Sequence, residues 1–180
     1  MFVNKKHADR IVEWALANES VVKHRDEIAR EKPGCGHVGW ENMGYIFNLE
    51  QRDKKWVDLG FPFDSLNSIK QDIHKEYNIP LDLDIALMGD ILIYTESDYL
   101  CKWHDDHNPS NSKKIHTRFN TIISAPESGG MPIFEIDNKK EMWEVEEREV
   151  WKGEVGKYKH STSPMTGNLP RIMLSFGYYI

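Results

Sequence analysis

The sequence predicts an α+β protein, a β-sandwich or barrel with helices packed against one side. Three observations carry this. Before about residue 80, apolar residues recur at helical spacing. After it, β-branched and alternating runs separated by turn residues take over. The final run, 171–180, alternates cleanly enough for its two faces to be told apart. The 180 residues make one domain of ordinary size, 1–180, with 1–80 as mainly helical support and 84–180 as the strand-built core.

Residues 6–31 read as helix in two pieces. Ile11, Trp14 and Ala15 form an apolar stripe, Asn18-Glu19-Ser20 interrupts and re-caps it, and Pro33-Gly34 ends it. Between 38 and 60 the signal is mixed, with Tyr45-Ile46-Phe47 and Trp56-Val57-Asp58-Leu59 as short strand candidates. Residues 65–77 are the clearest helix. Ser65 stands where a cap belongs, Leu66, Ile69, Ile73 and Tyr77 share a face, and Asn78 and Pro80 stop it.

Strands are predicted at 86–95, 118–125, 131–136 and 142–148, with a short segment leading into His160 and the last strand at 171–180. Ser128-Gly129-Gly130, Asp137-Asn138 and the loop 164–170 supply turns. On the last strand, Ile172, Leu174, Phe176, Tyr178 and Ile180 form an apolar core face. Arg171, Met173, Ser175 and Gly177 form the other, which carries an arginine, a hydroxyl and a glycine and suits a pocket wall.

A net charge of −6 gives no basic footprint for nucleic acid. No run of residues is long and apolar enough for a membrane helix, and the N-terminus has no signal-peptide core, so a cytoplasmic address is expected. Cys35 and Cys101 do not make a disulfide framework, and Gly34-Cys35-Gly36-His37 reads as a glycine-rich turn.

The chemistry concentrates in Trp103-His104-Asp105-Asp106-His107-Asn108. His104 and Asp106 are i and i+2, so on an extended segment they point the same way and can chelate together. His160 follows 54 residues after Asp106, and Arg171 eleven after that. Two histidines and one carboxylate can occupy one face of iron(II) and leave the other positions open for a 2-oxoacid and oxygen. A co-substrate with a distal carboxylate then needs a cation, and the planar fork of Arg171 suits it.

His104-x-Asp106, His160 and Arg171 in Pro170-Arg171-Ile172-Met173-Leu174-Ser175-Phe176 resemble the 2-oxoglutarate/iron(II) dioxygenase superfamily, nearest its prolyl 4-hydroxylase-like branch. The resemblance spans about residues 84–180. Gly129-Gly130-Met131-Pro132-Ile133-Phe134 is similar to that family's glycine turn and strand, while 118–126 also resembles aspartyl/asparaginyl β-hydroxylases. Lys157-Tyr158-Lys159 departs from the branch, which has an aromatic-rich run there.

The resemblance implies a double-stranded β-helix (jelly roll) with His104, Asp106 and His160 as iron ligands. It implies oxoglutarate contacts from Arg171, from Tyr94 at the family offset before His104, and from Thr121 and Ser175. It further implies hydroxylation of a C–H bond in a peptidyl or free amino acid, or a related small molecule, with oxygen as co-substrate and succinate and carbon dioxide as co-products.

Three other functions compete. A non-catalytic metal-binding jelly roll would keep the site without turnover. His104-Asp105 is also the dyad of helical phosphohydrolases. An oxygenase of modified nucleobases would share the iron site but would want a basic groove. Arg118 suits oxoglutarate, substrate or a surface carboxylate equally. Asn120 is a weaker candidate for the pocket. Trp103 reads as a cleft wall or packing, Asp105 as solvated, and His107 as a neighbour of the entrance. His7, His24, His37, His74 and His116 read as structural or exposed. The charged runs 139–141 and 144–149 read as solvated strand faces and turns.

Overall fold

A computed structural model describes residues 1–20, 45–49, 59–83, 85–96, 103–106, 108 and 113–180. The expected helix end at Pro33-Gly34, the segment 56–58, both cysteines, and His24, His37 and His107 lie outside the described residues.

Helix α1 (Lys5–Ala17) begins at Asn4, whose side chain accepts from Lys6 N at 2.9 Å. It stops at Asn18, where the sequence marked an interruption; the Asn18 amide donates to Trp14 O at 2.8 Å. Ala8, Ile11, Trp14 and Ala15 are its buried stripe. Helix α2 (Phe63–Glu76) buries Leu66, Ile69 and Ile73, and Asn78, with φ +51°, turns the chain out of it. Ser65 is not its cap. The helix starts two residues earlier, after Pro62, and Ser65 lies buried inside the first turn. Its hydroxyl meets His7 and Arg10 of α1 at 3.2 and 3.1 Å, so it joins two helices.

Among the described residues there are eight named strands: β1 (Tyr45–Asn48), β2 (Ile85–Thr95), β3 (His116–Ser124), β4 (Pro132–Ile136), β5 (Lys139–Met142), β6 (Val150–Gly153), β7 (His160–Thr162) and β8 (Arg171–Tyr179). They form a five-stranded sheet in the order β1-β2-β8-β3-β6 and a three-stranded sheet in the order β5-β4-β7, with every pairing antiparallel. Asp137 and Asn138, both at positive φ, close the β4–β5 hairpin as a primed turn does. With helices and antiparallel sheets, the fold is α+β.

The predicted strand at 142–148 is not there. The chain pairs as β5 up to Met142 and as β6 from Val150, and Arg148 sits between at φ +69°, outside the extended region. Charges alternating with Trp143 and Val145 imitated a strand period in what is a connection. The N-terminus covers the edge next to it: Val3 N donates to Arg148 O and Val150 N to Met1 O, both at 2.9 Å.

Strand β8 is buried on both faces. Ile172, Leu174, Phe176 and Tyr178 join Leu92, Tyr94 and Phe119 in one core with the apolar stripes of α1 and α2. Arg171, Met173, Ser175 and Gly177 face the other way, toward the smaller sheet. There Phe134 of β4 packs so closely that a Cβ on Gly153 of β6 would lie 2.9 Å from its ring.

A polar contact also ties α2 to β8. His74 Nδ1 lies 3.2 Å from Ile79 O and its Nε2 lies 2.6 Å from Tyr178 Oη. A carbonyl only accepts, so Nδ1 carries the proton and Nε2 accepts from the tyrosine. Burial, with Lys70 adding to it, holds the imidazole below its ordinary range, against the opposing pull of the Ile79 bond and Asp90.

Two predictions follow from this packing. Ile69→Ala, at a site with no exposure, should cost about 2–5 kcal/mol in urea unfolding. For His74 the folded pKa is lowered, so its contribution is whole above the unfolded value near 6.5 and declines as pH falls below it. Wild type should therefore lose stability between about pH 7 and pH 5.5 more steeply than His74→Gln; parallel curves would show that a neutral His74 is not required.

Candidate metal centre

Backbone pairing fixes the place of His104. His104 N donates to His160 O at 3.1 Å and His160 N to His104 O at 2.7 Å, an isolated antiparallel bridge at the edge of β7. The two rings stand 4.2 Å apart between centroids. Asp106 N donates to Val155 O at 2.9 Å, holding the next turn of chain against the segment before β7. One ligand atom from each of His104, Asp106 and His160 falls within 4.8 Å of the others, and all three side chains are half-buried. The i and i+2 expectation for His104 and Asp106 thus meets a histidine from a distant strand. Asp105, between them, is exposed.

Protonation suits a cation. Burial, and then the neighbouring His104, push His160 down to about 4, so it is neutral near pH 7. Its Nδ1 lies 3.2 Å from Tyr158 O and must donate to it, which leaves the Nε2 lone pair available. Burial alone would raise Asp106, but Arg118, with His160 next, overcomes that and holds the carboxyl below its usual range. Two imidazoles and an ionised carboxylate with solvent access fit a divalent first-row metal, iron(II) among them.

Asn108 braces this corner. Its amide donates to Gly156 O at 2.6 Å and its oxygen accepts from His116 N at 2.7 Å. A Cβ on Gly156 would overlap that oxygen at 2.1 Å, so a side chain there would displace the Asn108 amide from these two hydrogen bonds. Asn108 stood in the predicted cluster without a role, and Gly156 gave no signal in sequence.

Arg171 is 3% exposed and on the side of β8 away from the helices. Its Nε donates to Gly130 O at 2.9 Å and its Nη2 lies 3.2 Å from Met173 Sδ. Gly129 and Gly130, both at positive φ, let the turn come this close; a Cβ on Gly129 would lie 1.7 Å from Pro164 O. Ser175 shares the face and accepts from Arg118 Nη1 at 3.2 Å.

Tyr94 and Thr121 are not brought to this face. Tyr94 pairs with Ile172 and Thr121 with Leu174, so both side chains lie on the helix side. The Tyr94 hydroxyl donates to Glu19 at 2.5 Å. Their expected oxoglutarate contacts are therefore corrected: a whole sheet separates them from Arg171. Thr95 and Asn120, one residue along, pair with Arg171 and Ser175 and do share its face.

His116, expected to be structural, has its Nδ1 3.8 Å from Asp106 Oδ2. It and Arg118 are i and i+2 on β3, the spacing that could have revealed both. Trp103 is half-buried, with the Lys140 ammonium 4.5 Å from its ring centre. The helical phosphohydrolase alternative falls, because His104 and His160 meet through an antiparallel bridge.

No protein-family model matches the sequence, and no curated protein does. Solved structures are similar to it at low identity, two of them as follows. One, a non-heme monooxygenase in a ThoJ–nickel complex, is 12% identical, covers 99% of this chain and 70% of its own, and has a TM-score of 0.49. The other, a prolyl-4-hydroxylase from Pseudomonas putida, is 15% identical, covers 99% and 88%, and has a TM-score of 0.48. No helix among the described residues is long and apolar enough to cross a membrane.

The geometry separates the two adjacent aspartates. By calorimetry with cobalt(II), Asp106→Asn and His160→Ala should each weaken binding by roughly a hundredfold or more, beyond what supporting residues cost. Asp105→Asn should match wild type; equal losses at 105 and 106 would contradict the assignment.

Proposed function

We propose that this chain is an iron(II)- and 2-oxoglutarate-dependent dioxygenase, a single domain over 1–180 that hydroxylates a C–H bond. The observation that carries this reading is a His-Asp-His group at the side of the sheet where Arg171 is buried. Two antiparallel sheets facing one another across that region support a double-stranded β-helix.

Iron(II), when bound by His104, Asp106 and His160, supplies the redox chemistry that turns oxoglutarate and oxygen into succinate and carbon dioxide while C–H becomes C–OH. The chain's own residues do the rest. Two histidines and one carboxylate leave the metal open positions. Arg171 receives the distal carboxylate of oxoglutarate with its planar fork, already oriented by Gly130 O. Thr95 and Asn120 take the places beside it that Tyr94 and Thr121 were expected to fill. Ser175 reaches the co-substrate only through Arg118, which already holds its hydroxyl.

The prime substrate is a peptidyl or free amino acid, or a small molecule related to one. The charge balance of −6 disfavours a nucleic-acid substrate.

Anaerobic titration of iron(II) with oxoglutarate tests the reading. Chelation of the metal by a 2-oxoacid should give a weak visible charge-transfer band, absent in His160→Ala. In Arg171→Ala, half-saturation should need about ten times more oxoglutarate, the loss of one charge-assisted pair. Folded protein that binds iron yet shows no band would remove oxoglutarate and leave a metal-binding module.

A further inference from the structure

The sequence left Arg118 open among oxoglutarate, substrate and a surface carboxylate, and the structure assigns it a different partner. Its Nε donates to Asp106 Oδ2 at 3.1 Å, and its Nη1 donates to Ser175 Oγ at 3.2 Å and to Gly89 O at 3.3 Å. The side chain is 9% exposed and that of Asp106 is 19% exposed. A guanidinium fixed at both a hydroxyl and a backbone carbonyl cannot swing away, so the carboxylate it grips cannot rotate freely. His116 Nδ1 flanks the same oxygen at 3.8 Å.

The space for this grip is built in. Gly177 of β8 pairs with Arg118, and a Cβ there would lie 3.1 Å from both Arg118 Nη1 and His116 Nε2.

We infer that Arg118 is a positioning residue that keeps Asp106 a one-oxygen ligand, holding Oδ2 so that only Oδ1 faces the metal and a coordination position stays open for a second ligand. This rests on the metal reading above. It does not rest on oxoglutarate.

Affinity for the metal is the wrong readout. Charge alone says that removing one cation beside another should help the metal bind, while loss of a supporting hydrogen bond should hinder it. The two effects oppose each other. Coordination number is free of that conflict. A released carboxylate can bind through both oxygens and fill a position that an incoming ligand needs.

The test uses the full chain loaded with cobalt(II), read by its visible spectrum and by titration with oxalate. Oxalate chelates a metal but has no distal carboxylate, so Arg171 is not involved. Arg118→Gln should shift the cobalt bands and weaken oxalate by about tenfold or more. Arg118→Lys keeps the charge without the fork and should recover part of both. If the glutamine variant does not fold, the lysine variant decides, because it should still differ from wild type.

Variants that match wild type in band positions and bind oxalate within about twofold of it (a difference below 0.5 kcal/mol) would overturn the role of Arg118 and leave the metal site standing. Wild-type protein that takes up no cobalt(II) would overturn both. Cobalt uptake with the expected shift, in protein that shows no oxoglutarate band, would support Arg118 and overturn only the oxoglutarate reading.

Discussion

Strand β8 has to satisfy two surfaces at once, because it lies between β2 and β3 with helices on one side and the polar site on the other. A strand offers alternate residues to alternate faces, so a slip of one residue would exchange the faces. Ile172, Leu174, Phe176 and Tyr178 would then meet the site, and Arg171 and Ser175 would be buried among α1 and α2 without partners. The cost of that exchange fixes the register. It also fixes the neighbours: Asn120 opposite Ser175, Arg118 opposite the vacancy that Gly177 provides. The site inherits its precision from the core, and the helices matter to it because they define which face is inside.

What β8 positions on its polar face is expensive to bury. Removing either Asp106 or Arg118 would strand a charge in a poorly solvated place, a loss of about 3–5 kcal/mol in comparable pairs. Replacing both with apolar residues is often neutral or better. Stability therefore does not explain the pair, whereas a need for one carboxylate in one orientation does. The same economy runs through the backbone around it. His104 is fixed by two hydrogen bonds to His160, and Asp106 by one to Val155. The backbone of the three candidate ligands is thus held by main-chain contacts between segments more than 40 residues apart in sequence, and Arg118 adds the side-chain support that Asp106 has.

Legibility in the sequence followed the same physics. The face of Arg171 was readable because β8 alternates polar and apolar residues. Strand β2 ends Ile91-Leu92-Ile93-Tyr94-Thr95, apolar on both sides until its last residue, so nothing local said which way Tyr94 points. An offset borrowed from a family chose a residue one position away from the parity that shares the face of Arg171. Thr121 likewise lies on the helix side, next to Asn120, which shares the face of Ser175. His104, Asp106 and His160 were found because a spacing with a chemical purpose survives without knowledge of the fold. Asn108, Gly156 and Gly177 were not, since their roles exist only after distant segments meet. Ser65 shows the converse: a residue that looks like a local cap is used between helices, because Pro62 already starts α2 and frees the hydroxyl for His7 and Arg10.

Charge balance joins the two halves of the site. Imidazole ligands bring no charge to a metal, so with one carboxylate, Asp106, a bound dication would keep one positive charge in excess. Arg118 adds another and Arg171 a third. A partly buried region with that surplus repels further cations and favours a ligand with two negative charges, which 2-oxoglutarate carries at neutral pH. The ligand would bring one carboxylate to the metal and the other to Arg171, dividing its charge between the two ends. Arg118 is then not redundant with Arg171. Its Nε grips Asp106 Oδ2 and keeps that carboxylate in one place before any metal arrives, while Arg171 is oriented separately, by Gly130 O.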